Sequence, residues 1–274
     1  MQPLQIGVCS WSLAIPDLAQ TLATVRDQLG LKLVHLGIFD EGWRDPDRVL
    51  KIVEDSGVEA SATCVAFAGE DYASIARIAA TGGFKPDDVW ADRRAKTMGV
   101  AEITARLGLK HLMTHIGFVP HDPRDPQYAV MVDRIKDICD ALGQRGISLV
   151  METGQEKVQD LIAFIGRVER PNIAVNFDPA NMILYGAGEP IEAVEALGSR
   201  IVHVHMKDAT WSKAPGKDWG AEVVLGTGEA DIPRVVSKLR AQGYRGPLVI
   251  EREAGQQRLA DIREAVKLLE SLVG

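Results

Sequence analysis

The feature that most constrains this chain is an alternation. Eight short runs of β-branched and apolar residues are each followed by a segment with helical spacing. The runs fall at residues 5–10, 33–38, 58–65, 110–115, 148–152, 173–177, 201–206 and 248–251. Helical patterns occupy 17–29, 46–56, about 90–107, 127–145, 158–168, 190–197, 231–242 and 259–272. Five of these helices stop at Gly30, Gly57, Gly108, Gly146 and Gly243, as expected where the chain must turn left-handed after its last helical residue. No linker, low-complexity stretch or internal repeat interrupts the series. Eight evenly spaced strand–helix units predict an α/β fold, a single (β/α)8 barrel forming one domain over residues 1–274. A doubly wound open sheet is the competing arrangement. It would carry a glycine-rich phosphate turn after an early strand, and Gly7-Val-Cys-Ser offers none.

The composition narrows the function classes. A chain of 274 residues, 46% hydrophobic and 25% charged, easily buries a large core. A formal net charge of -7 argues against a nucleic-acid surface. Cys9, Cys64 and Cys139 lie far apart with no CxxC pair, which reads as reduced thiols and not as a disulfide framework or zinc knuckle. The start, MQPLQIGVCSW, has no basic stretch leading into an apolar one, and no apolar run approaches a membrane span. The expectation is a soluble, cytoplasmic protein that binds neither nucleic acid nor membrane; a homo-oligomer is allowed.

The segment IVHVHMKDA at 201–209 places two histidines, a lysine and an aspartate in what reads as a buried strand. Its alternation sends Val202, Val204 and Met206 to one face and His203, His205 and Lys207 to the other. Polar groups inside a sheet are costly without partners. In a barrel the chemistry belongs at the C-terminal strand ends. Strand five, SLVMETGQE, ends in Glu152; strand six, IAVNFDPAN, in Asp178; strand seven offers His205; and strand eight, PLVIEREAG, ends in Glu251. Taken singly, each has an ordinary explanation. Asp178 precedes a proline and could cap the next helix, and Glu251 could pair with Arg252. Four in register on successive strands are harder to explain structurally, because clustered carboxylates repel unless a cation joins them. Three carboxylates and an imidazole suit one divalent ion, Mn2+ first, then Mg2+, Co2+ or Zn2+.

Other positions carry weaker signals. Lys207 and Asp208 are placed to bind a substrate oxygen or the next loop. His203, one layer deeper, reads as a core histidine satisfied by its neighbours. Trp11, Phe67 and Trp211 stand just past strand ends and could wall a sugar, although scattered aromatics usually pack. Cys9 and Cys64 read as small core residues, since no adjacent base is identifiable. GTGEAD at 226–231 reads as a turn capped by Asp231.

At LGLKHLMTHIGFVP, GISLVMETG, NIAVNFDPANMILYG, RIVHVHMKDA and GTGEADIPRVVSKLRAQGYRGPLVIERE, in that order, the chain resembles the sugar phosphate isomerase/epimerase family, the xylose-isomerase-like TIM barrels. The resemblance is specific for fold and metal site but not for reaction, because the family includes ketose 3-epimerases, hydroxypyruvate isomerases, inosose dehydratases and dehydroshikimate dehydratases. It implies that Glu152, Asp178, His205 and Glu251 are metal ligands, that Glu152 and Glu251 are the acid/base pair, and that His115 faces substrate. The expected activity is epimerisation or isomerisation of a small ketose-type carbohydrate through an enediolate. A dehydratase or lyase on a keto-sugar or keto-cyclitol is the alternative, since the same enediolate can expel a β-hydroxyl. An apurinic-site endonuclease is remote: it needs extra histidines near strands three and four, and strand three ends Ser-Ala-Thr-Cys-Val-Ala-Phe.

Overall fold

The structure, a computed structural model, describes residues 4–273. Residues 1–3, where the segment read above for a leader begins, and residue 274 lie outside the described residues. The barrel starts with β1 (Ile6–Cys9), β2 (Leu33–Gly37), β3 (Glu59–Cys64) and β4 (His111–Thr114). It continues through β5 (Ser148–Glu152), β6 (Ile173–Phe177) and β7 (Ile201–Met206). Two short strands, β8 (Asp208–Thr210) and β9 (Ala221–Val223), pair antiparallel as a separate hairpin. The eighth barrel strand is therefore β10 (Leu248–Ile250), which lies between β7 and β1 and closes a fully parallel ring. The open-sheet alternative is excluded.

The sequence's helical segments wrap this ring as α1 (Leu18–Leu29), α2 (Pro46–Ser56), α4 (Trp90–Arg106), α5 (Pro126–Gly143), α6 (Val158–Val168), α8 (Pro190–Leu197), α9 (Ile232–Ala241) and α10 (Arg258–Val273). Their ends follow local chemistry. The Asp17 side chain accepts the Gln20 backbone N–H at the start of α1, and Gly30, at φ +67°, ends it. Two helices escape the periodicity reading, α3 (Ile75–Thr81) and α7 (Pro179–Leu184). Each is at most two turns long, too short to display a face. Between strands and helices the core is greasy, with Phe84, Phe164, Phe177, Leu36 and Ile135 fully buried. One backbone crossing admits only glycine: a Cβ on Gly83, at φ +57°, would lie 2.0 Å from the Gly117 nitrogen.

The barrel interior differs from that outer core. Cys64, Met113, Val150 and Ala174 form a small apolar cluster with Trp11 and Val202 packed on it. Val202 corrects the strict alternation read in IVHVHMKDA. Opposite β6 the register steps from Val175↔Ile201 to Asn176↔His203, a bulge in which two successive residues share a face. Ile201, Val204 and Met206 therefore belong to the outer core, while Val202 joins the inner one.

The hairpin after β7 is organised by Asp208. Its Oδ1 accepts from the backbone of Ala209 and Ala230, and its Oδ2 from Gly226 and Gly228. Asp208 thus holds the GTGEAD turn, where Asp231 caps α9 as the sequence suggests. No helix among the described residues is long and apolar enough to cross a membrane.

Candidate metal centre

Four strand ends converge. Glu152 closes β5, Asp178 follows β6, His205 lies near the end of β7, and Glu251 follows β10. One donor atom from each falls within 4.8 Å of the others. His205 Nδ1 lies between two carboxylates, 2.7 Å from Glu152 Oε1 and 3.4 Å from Glu251 Oε2.

Each ligand atom is aimed by a specific neighbour. Below His205, Nε2 meets His35 Nδ1 at 2.9 Å and Cys9 Sγ at 3.5 Å, which leaves Nδ1 facing the carboxylates. Asn176 Nδ2 donates to Glu152 Oε1 at 3.2 Å. Asp178 serves twice: Oδ1 accepts from Asn181 N at the start of α7, and Oδ2 points into the cluster, 3.0 Å from Lys207 Nζ. The capping explanation considered for Asp178 is therefore real, but it uses only one oxygen. The Trp11 indole donates to Glu251 Oε1 at 2.8 Å, and Lys207 Nζ donates to Glu251 Oε2 at 2.5 Å. Glu251 is not the surface partner of Arg252, whose guanidinium pairs with Glu222 and Asp261.

The donor set fits a metal ion. Asp178 Oδ2 and His205 Nδ1 are shielded from solvent and face charged groups of the cluster itself, Lys207 Nζ and Glu152 Oε1. Burial pushes the Asp178 carboxyl up to about 7 against the pull of Lys207. Burial also works against ionising Glu251, but Lys207 and His205 outweigh it and hold that carboxyl well below the usual range. A divalent cation would relieve the crowding of the three carboxylates.

The remaining candidates lie as follows. His203 pairs through Nδ1 with Asn176 Oδ1 (2.9 Å) and through Nε2 with Ser61 Oγ (3.0 Å). His115 follows β4, stacked on Tyr185 with Tyr72 and Phe118 near by. Its two ring nitrogens are shielded and unpartnered, and burial takes the imidazole down to about 3. Phe67 belongs to the core, against Phe84 and beneath the Arg93 guanidinium. Trp11 and Lys207 are committed to Glu251. A cavity of about 600 Å³ opens beside Trp11, lined by Ile38, Phe39 and Arg48, but none of the four clustered residues borders it. Sequence reasoning missed His35 and Asn176. LVHLG in β2 has the same histidine-in-an-apolar-strand pattern as IVHVHM, and that signal could have found His35.

Glu156 was also missed. It is 3% exposed and accepts from Val119 N at 2.9 Å, tying the segment after β5 to the segment after β4. Burial raises its carboxyl from 4.5 to about 7. The folded state thus holds this proton over a range where the unfolded chain has released it. Stability from the protonated group is complete below about pH 4.5 and is lost as pH rises to about 7, a change of about 3 kcal/mol. Denaturant unfolding across that window should show a loss about 3 kcal/mol smaller in Glu156→Gln than in the wild type, the remainder coming from groups such as Asp178. Parallel pH profiles for the two proteins would refute the assignment.

A closed parallel barrel with three carboxylates and an imidazole at the C-terminal strand ends defines a xylose-isomerase-like enzyme scaffold. The family profile described as xylose isomerase-like TIM barrel matches residues 26–272, and the chain belongs to that family. A xylose isomerase domain protein from Planctomyces limnophilus is similar along its length: 32% identical, TM-score 0.88, covering 99% of this chain and 98% of that one. An L-ribulose 3-epimerase shares the fold, with TM-score 0.73 and 19% identity over 98% of this chain and 94% of that one. A 3-oxo-isoapionate decarboxylase from Pectobacterium atrosepticum is 24% identical over 139 residues, 49% of this chain. The chain spans less than half the length of the curated relatives it matches, 48% and 37%.

Proposed function

We propose that the protein is a divalent-metal-dependent isomerase or epimerase of a ketose-type sugar or sugar derivative. Glu152, Asp178, His205 and Glu251 hold the ion, with Mn2+ favoured. The observation that carries this reading is the meeting of these four donors, three of them carboxylates, within 4.8 Å at one end of the barrel. Carboxylates brought this close repel one another, and a cation bound among them removes that repulsion. The bound ion would withdraw electron density from a carbonyl and its adjacent hydroxyl, acidifying the neighbouring C–H. Glu152 and Glu251, on either side of His205 Nδ1, then divide the proton work. One takes the proton from carbon to leave an enediolate, and the other returns a proton. Return to the opposite face of the same carbon epimerises; return to the next carbon isomerises. Asn176 steadies Glu152, while Trp11 and Lys207 each hold one oxygen of Glu251. The unpartnered nitrogens of His115 are suited to a substrate hydroxyl. Similarity to an L-ribulose 3-epimerase supports a small carbohydrate as substrate.

A lyase is the second reading, favoured by the match to a 3-oxo acid decarboxylase. Loss of CO2 from such an acid leaves the same kind of enolate that proton removal would give. Two measurements test the reading. Metal analysis should find one Mn2+ per chain in the wild type and little in Asp178→Asn, and equal occupancy in both would end the ligand assignment. A panel of ketoses, keto-cyclitols, keto-glycosides and 3-oxo sugar acids in D2O with Mn2+ should yield deuterium at the carbon beside the carbonyl. Loss of water or CO2 would favour the lyase, and no exchange with any compound would overturn proton abstraction.

A further inference from the structure

We infer that Lys207 is a built-in counter-cation of the carboxylate cluster: it holds Asp178 and Glu251 together before a metal arrives and sets how tightly the cluster takes one up. The inference rests on the metal-site reading above. Lys207 follows His205 by two residues at the end of β7, so the pleat sends both side chains to the same face. Its Nζ lies 2.5 Å from Glu251 Oε2 and 3.0 Å from Asp178 Oδ2. Those are the oxygens left over once Glu251 Oε1 takes the Trp11 indole and Asp178 Oδ1 caps α7. Ammonium and metal ion therefore draw on the same two atoms. All three side chains are at most 4% exposed, so water does little to screen their charges.

The charge count explains why a lysine stands there. Among the buried ligands, three carboxylates against one ammonium leave two formal negative charges, which a single divalent ion cancels; Glu253, 3.4 Å from Nζ, is half exposed and screened by water. Loaded in this way the site is neutral and can accommodate an enediolate anion. Without Lys207 it would remain anionic and repel one. The same ammonium repels the incoming ion, so it weakens metal binding while it orders the ligands. Burying a lysine among carboxylates is otherwise a poor source of stability compared with apolar packing, which makes a role towards the ion the better account of its position.

Lys207→Met keeps the apolar stem and removes the charge. Calorimetric titration of EDTA-stripped protein with Mn2+ should show about tenfold tighter binding in Lys207→Met than in the wild type. Its metal-free Tm should fall, and saturating Mn2+ should recover most of the loss. A lysine that served only packing would shift the affinity the other way, since disordered ligands bind metal more weakly. The double variant Lys207→Met/Glu251→Gln removes one charge of each sign, and its metal-free Tm should exceed that of Lys207→Met. If the single variant does not fold, folding of the double variant is the expected rescue. Mn2+ bound no more tightly by Lys207→Met, or a double variant no more stable than the single, overturns the inference. A wild type that takes up no Mn2+ overturns the metal-site reading instead, and the metal-free Tm comparison still decides whether Lys207 holds the carboxylates.

Discussion

Glu152→Gln and Glu251→Gln should each abolish solvent exchange at the substrate C–H, lowering its rate by roughly 10²–10⁴-fold, or about 3–5 kcal/mol. Glutamine keeps the shape and one oxygen able to face a metal, but it cannot carry a proton to or from carbon. The substitution is clean at Glu152, whereas at Glu251 the new amide nitrogen must face one of two donors, Trp11 or Lys207, and the Mn2+ content reports that cost. The Trp11 indole can still donate to the retained amide oxygen of residue 251, as it does to Oε1 now, and Asn176 can do the same for residue 152. The rate of deuterium incorporation and the Mn2+ content should be measured on the same preparation. Exchange that persists in either variant with the metal in place would assign the proton transfer to another group.

The second large effect separates the two histidines of β7. His205→Asn should lower Mn2+ affinity by at least about a hundredfold, above the 10–100-fold that loss of an outer partner costs. His203→Ala should leave most of the affinity but lower stability by about 3 kcal/mol, because it empties a buried site and strands two partners. Those partners are Asn176 Oδ1 and Ser61 Oγ, each within 3.0 Å. A residue near the strand end would cost little packing, yet His205 is fully buried against His35, Cys9 and Trp11. Its substitution will also destabilise the fold, so the ratio of metal affinity between the two variants, and not the melting temperature, decides the question. Metal lost with His203 and kept with His205 would place the site one layer deeper.

The barrel was legible in the chain because its signals are local. Strand runs, helix periods and the glycines that end helices depend on residues within a turn or two of each other, and eight repetitions leave few architectures open. The residues of the candidate metal centre were legible for a related reason: a strand end is a position in a sequence, and the fold makes such positions neighbours. The pairings were not legible. Trp11 donates to Glu251 across 240 residues and His35 meets His205 across 170, separations at which no periodicity carries information. Nor could alternation along IVHVHM show that a bulge opposite Asn176 turns Val202 inward, since a bulge depends on the partner strand. Asp208 reads in sequence as a residue for a substrate oxygen or for the next loop, and only the folded loop selects the second, with four backbone N–H partners. Lys207 shows the division most plainly. Its side of the strand follows from the two-residue period, but its attachment to Asp178 and Glu251 was decided by closure of the barrel, because three strands had to converge before those charges met.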